Sequence, residues 1–159
     1  MADVFELTLT LDLLDPLSEE ELAELRWHLG LGPKPEILRI VTTFPFVVED
    51  EHGEPVVEDH PEPLLGCHGE AFKVGGALVS ALVPRQDTRR GAWALTSRQE
   101  THPDDFERTG ELLSWLATKA VDAHRRSDNG DVHLGWIRFC EEVQPKPLVV
   151  RDGVAVWPT

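Results

Sequence analysis

The chain of 159 residues has no tyrosine, one methionine and two cysteines, and its 15 lysines and arginines face 29 aspartates and glutamates. Scarce positive charge argues against general nucleic-acid binding, which depends on cations set against phosphates. It also argues against docking on an anionic membrane. Cys67 and Cys140 lie far apart, so they form neither a disulfide framework nor a C-x-x-C zinc motif. Free thiols and a reducing cytoplasm are expected. No run of about 18 apolar residues is present, so no membrane span is expected. Asp3 and Glu6 interrupt any apolar leader. A Gly-rich phosphate loop, an H-E-x-x-H pair and a nucleophile elbow are all missing, so no cofactor and no reaction are read from motifs.

What is present is a core-forming composition, 41% apolar, and an uneven charge. Residues 1–70 carry 17 acidic and 3 basic side chains, whereas residues 71–159 carry 12 of each, so the whole formal charge of −14 belongs to the first part. It is densest at Glu19–Glu24 and Glu49–Glu62. Such a surface keeps a protein solvated, and it also suits a basic protein partner.

Periodicity organises the rest. From Val4 to Leu14, Phe5, Leu7, Leu9, Leu11 and Leu13 alternate with Glu6, Thr8, Thr10 and Asp12, which predicts a strand with one buried face. Ser18 and Glu21 form an S-x-x-E capping box flanked by Leu17 and Leu22, so a helix starts there with Leu22, Leu25 and Leu29 as its stripe. Ile37–Val48 reads as a strand. Two V-V-E-D runs around Gly53 predict a hairpin, and residues 60–69 a loop. Ala71–Val83 reads as a central strand bulged at Gly75-Gly76, and Ala92–Thr101 as another. A second helix opens at Pro103 and runs to Asn129-Gly130. Val132–Glu142 is a strand, and Asp152-Gly153 turns a terminal hairpin.

This order predicts an α+β domain over residues 1–159: an antiparallel or mixed sheet with two helices on one face. The layout is ferredoxin-like with additional hairpins, and an acidic loop or hairpin is inserted at about 49–70.

Three groups of side chains are candidate sites. His52, His60, Cys67 and His68 are metal-ligand types in one acidic stretch, without the spacing of an established motif. Arg85, Arg89 and Arg90 share a turn, with Arg98 on the next strand. Guanidinium forks suit carboxylate or phosphate, although a solvated turn pairing with the protein's own acids is the favoured account of them. Trp27 lies off its helix's leucine stripe and is a candidate exposed aromatic. A Ser80, Ser97, His102, Asp104 combination lacks the motif of a nucleophile. The leading expectation is a non-enzymatic protein-interaction domain acting through its acidic N-terminal half and an open sheet face, with a second copy or a basic protein as partner. The alternatives are an anion-binding protein or enzyme using Arg85, Arg89 and Arg98, and a metal-binding protein using the 52–70 stretch.

Overall fold

A computed structural model describes residues 3–14, 16–126 and 128–159. The elements are β1 (Phe5–Leu13), α1 (Glu19–His28), β2 (Pro45–Glu49), β3 (Pro55–Asp59), β4 (Gly69–Glu70) and β5 (Ala77–Pro84). There follow β6 (Trp93–Thr101), α2 (Phe106–Lys119), β7 (Val132–Phe139), β8 (Lys146–Arg151) and β9 (Val154–Ala155). Seven strands form one sheet in the order β4-β5-β6-β1-β7-β8-β9, while β2 and β3 form a separate two-stranded sheet. Every pairing is antiparallel. The class is therefore α+β with a large antiparallel sheet.

β1 is the middle strand, and its alternation decides which side is core. Leu7, Leu9, Leu11 and Leu13 are buried and share one cluster with Leu25 and Leu29 of α1 and Leu112, Leu113 and Leu116 of α2. Both helices therefore cover the leucine side, and among the described residues no helix lies over the side bearing Glu6, Thr8, Thr10 and Asp12. The Ser18–Glu21 capping box forms as expected, with reciprocal bonds of 3.1 Å. Glu21 also joins the helices, since Trp115 Nε1 donates to its Oε2 at 2.9 Å and Lys119 Nζ lies 3.6 Å away. The bond from the Ser18 backbone holds the Glu21 carboxyl below its ordinary range, reinforced by Trp115 and Lys119.

Three expected elements differ. The strand expected at Ile37–Val48 begins only at Pro45, because the amides of residues 39–41 are directed at a side chain and not at a neighbouring strand. Helix α2 stops at Lys119 and does not reach Asn129, because the chain pairs with the end of β1: Leu14 donates to Lys119 O at 2.7 Å and Val121 to Asp12 O at 3.0 Å. The strand expected as central at Ala71–Val83 is β5, bordered on its outer side only by the two-residue β4, and the Gly75-Gly76 pair falls in the turn between them. The terminal hairpin forms with Asp152 and Gly153 both at positive φ (52° and 77°), the signature of a type I′ turn. In β7 the ladder shifts at Gly135, where a Cβ would lie 1.8 Å from the Thr8 carbonyl oxygen. Only glycine permits that approach.

Candidate interaction surfaces

The hairpin of β2 and β3 stands outside the main sheet as an arm, and a buried carboxylate positions its root. Glu24, on α1, is 0% exposed. It accepts from the backbone N–H of Arg39, from that of Ile40 at 2.8 Å and from that of Val41 at 2.9 Å, and it meets His28 Nε2 at 3.1 Å. Burial pushes the Glu24 carboxyl up, but the bonds from His28 and the three amides outweigh it and hold the group below its ordinary value. His28, also fully buried, has no partner for Nδ1. Since a carboxylate only accepts, Nε2 carries the proton of this bond. The pinned segment then delivers Phe44 against Trp27 and His28, with ring centroids 6.4 and 6.3 Å apart. Phe44 N donates to Asp59 Oδ1 at 2.6 Å and Phe44 O accepts from His60 N at 2.8 Å, which closes the base of the arm.

Beyond this base the arm meets solvent. Val47 and Val57 pair across it and are 65% and 66% exposed. Residues 45–62 include seven carboxylates and no lysine or arginine. Asp50 caps the turn by accepting from His52 N and Glu54 N. Among the described residues, none of the seven forms an ion pair with a lysine or arginine. At the root lies a cleft of about 480 Å³ between the arm and the start of α2, lined by Phe46, His60, Glu62, His102, Asp104, Asp105 and Arg108 among others. His60 stacks on Phe46 with centroids 4.8 Å apart. His102 Nδ1 accepts from Asp104 N. Carboxylates outnumber the single guanidinium here, so the cleft continues the sign of the arm.

The second surface is the helix-free side of the sheet. Val79, Val83 and Trp136 are 49%, 55% and 43% exposed there. Its charges are matched in place. Glu6 is held between Arg98 and Arg138, the latter at 3.3 Å, and Asp12 accepts from Arg85 Nε at 2.7 Å. Burial raises the Glu6 carboxyl, but the two guanidinium groups outweigh it and lower it overall. Glu100 accepts from the amides of Phe72, Lys73 and Val74.

The candidate residues are placed as follows. His52 is in the turn of the arm and His60 at its base. Cys67 is exposed, with its backbone paired to the Gln99 amide. His68 Nε2 donates to Leu29 O at 2.8 Å. Among the described residues, no three His, Cys, Asp or Glu side chains are placed to hold a metal ion. Arg85 and Arg98 bind Asp12 and Glu6 at separate points of the sheet face. Arg89 pairs with the exposed Asp87, and Arg89 and Arg90 line a cavity of about 470 Å³ that Asp12 and Asp122 also enter. Trp27 is not an exposed aromatic: it is 6% exposed, because the segment pinned by Glu24 covers that side of α1 with Phe44. Ser80 and Ser97 bond each other at 2.7 Å in the core, Ser80 donating to Leu65 O, which is a packing role. The residues missed from sequence are Glu24 and His28. Their signal is an i,i+4 acid–histidine pair running beside Leu25 and Leu29.

No helix of the described residues is long and apolar enough to cross a membrane. A comparison with models of known protein families finds no match, and neither does one with curated proteins or one with solved structures.

Proposed function

We propose that this chain is a protein-interaction domain whose acidic arm captures a basic protein partner. One observation carries the reading: an exposed Val47–Val57 pair sits among seven carboxylates, none of which, among the described residues, forms an ion pair with a lysine or arginine. An apolar centre inside a charged rim is the anatomy of a protein-binding patch. Uncompensated charge of one sign speeds encounter with the opposite sign. A second copy, the other partner considered, does not suit the arm, since two arms would set like charges together.

The same reading takes the core for ferredoxin-like. The series β1, α1, β5, β6, α2, β7 and the strand order β5-β6-β1-β7 support two interleaved β-α-β units. The arm, β4, β8 and β9 are then additions. Two free thiols support a reducing cytoplasm as its compartment.

The test is binding to an immobilised arginine-rich polypeptide. A variant with Glu49→Gln, Glu51→Gln and Glu54→Gln is compared with one carrying Glu36→Gln, Glu111→Gln and Glu141→Gln, which has the same net charge. Loss of three rim charges is expected to weaken binding about tenfold in the arm variant, with a shallower salt dependence, and far less in the other. Val47→Ser with Val57→Ser is expected to weaken binding without changing the salt slope. Equal losses in the two charge variants would mean that net charge alone is being read, and the proposal would fail.

A further inference from the structure

We infer that the helix-free face of the sheet is the contact between two copies of this chain, a property separate from the arm and its basic partner. The occupant follows from charge. The molecule carries −14, yet on this face Glu6 and Asp12 pair with Arg98, Arg138 and Arg85, and Glu100, bonded to three backbone amides, brings the acids to the same number as these guanidinium groups. Its net charge is zero, so it is a surface on which two such acidic molecules can approach without setting unmatched carboxylates together. The same neutrality gives a basic partner no electrostatic reason to choose it. The ion pairs lie flat within the face and are already mostly withdrawn from water: Glu6 and Asp12 are 16% and 27% exposed at the side chain. Covering them therefore costs less than desolvating free charges.

Size and composition agree. Five strands (β5, β6, β1, β7, β8) at about 4.8 Å spacing, and about eight residues at 3.3 Å rise, give roughly 600 Å² per copy. Two copies then bury about 1,200 Å², the lower bound of a specific interface. Val79, Val83 and Trp136 supply the apolar anchors, and the small side chains of Ala81, Thr96 and Thr10 form a row across the face beside the one that joins Val79 to Trp136 through Arg98 and Thr8. A contact of identical faces is isologous and closes at two copies, so it builds no filament. It also leaves both arms free, because their roots pack against α1 and the start of α2 on the other side of the sheet.

The two interactions respond oppositely to salt, which separates this inference from the arm's. Screening relieves repulsion between two −14 molecules, so self-association tightens with added salt, whereas arm binding weakens. Sedimentation equilibrium is expected to give twice the 17.8 kDa chain mass, with the dimer favoured as salt rises. Val79→Glu or Thr96→Glu is expected to weaken association at least tenfold, while Val47→Glu on the arm leaves it unchanged. Without any variant, diluting the wild-type protein from about 200 to about 0.2 µM should raise hydroxyl-radical labelling of Trp136 but not of Val57. A monomeric mass across that range overturns the inference. So does a dimer whose mass survives the face substitutions, or one whose Trp136 labelling stays constant on dilution.

Discussion

Replacing Glu24 by alanine should cost this protein a large part of its stability. Its carboxylate is the acceptor for three backbone amides and for His28 Nε2. The amides of Arg39 and Ile40 lie near the surface and can recover water, but those of Val41 and the His28 ring stay dry, since both residues are 0% exposed. Two buried groups left unsatisfied at about 1–3 kcal/mol each, plus lost packing, place the effect near 4 kcal/mol. Against a total of about 5–15 kcal/mol for an ordinary domain, that should lower Tm by roughly 8–16 °C in a chain of this size. Glu24→Gln should cost about half as much: its oxygen, in the place of Oε2, can keep both Val41 N–H and His28 Nε2, while its NH₂ opposes only the amides of Arg39 and Ile40 near the surface. Replacing both members, Glu24→Leu with His28→Leu, should not restore stability. A buried pair that serves only itself can be exchanged for apolar residues, but this one also satisfies a backbone segment.

The pH dependence has a definite sign. The Glu24 carboxyl is held below its ordinary value in the folded protein. Its stabilisation is complete above the ordinary carboxylate range of about 4.3 and is lost as pH falls through the lowered folded value. The gap between wild type and Glu24→Gln should therefore close on acidification. Urea denaturation followed by tryptophan fluorescence gives the stabilities, and amide exchange at residues 39–41 reports whether the segment detaches before global unfolding. An alanine variant within about 1 kcal/mol of wild type, with exchange at 39–41 unchanged, would refute the assignment of Glu24 as organiser of the arm's root.

Other substitutions test the frame. Gly135→Ala puts a Cβ 1.8 Å from the Thr8 carbonyl, so β1 and β7 must separate; a loss of about 2–3 kcal/mol in thermal unfolding is expected, and a neutral result would contradict the close approach. Ser18→Ala removes one half of the capping box and should cost about 1 kcal/mol, measurable as a fall in Tm. Glu6 is also held low by its guanidinium partners, so Glu6→Gln should flatten the acid limb of the stability curve on the same sign argument as Glu24.

Features that depend on neighbours in sequence were legible before any coordinates. The alternation of β1 named the buried leucines, Ser18 and Glu21 announced their own cap, and the V-V-E-D runs and Asp152-Gly153 marked both hairpins. Features that depend on one distant group were not. Residues 37–44 have the composition of a strand, but the amides of 39–41 belong to a side chain on a helix more than ten residues earlier, and hydrophobic periodicity carries no trace of such a partner. Trp27 suffered from the same omission. On a ten-residue helix viewed alone it lies off the stripe, and it becomes core only once the segment pinned by Glu24 supplies a second covering layer. The end of α2 was hidden likewise, because the groups that stop it are backbone groups of β1.

Following each acid to its partner changes the meaning of the charge in the first seventy residues. Glu21 caps α1 and bonds Trp115, Glu24 pins the segment before the arm, Asp59 closes the arm's base, Asp50 shapes its turn, and Glu6 and Asp12 are matched by arginines. These acids hold the molecule in shape. Glu49, Glu51, Glu54 and Glu62 have no such assignment among the described residues and all belong to the arm or the cleft at its root, while Asp3, Glu19, Glu20, Glu36 and Glu70 lack one at scattered places elsewhere. Acidic residues merely keeping a surface solvated would be spread over it, as Glu36, Glu111 and Glu141 are. Their concentration on one projecting hairpin, around two exposed valines, is the distribution expected of a binding surface. The carboxylate of Glu24 ties that surface to the core, so a substitution on the buried side of α1 should weaken capture of a basic partner without touching a single exposed charge.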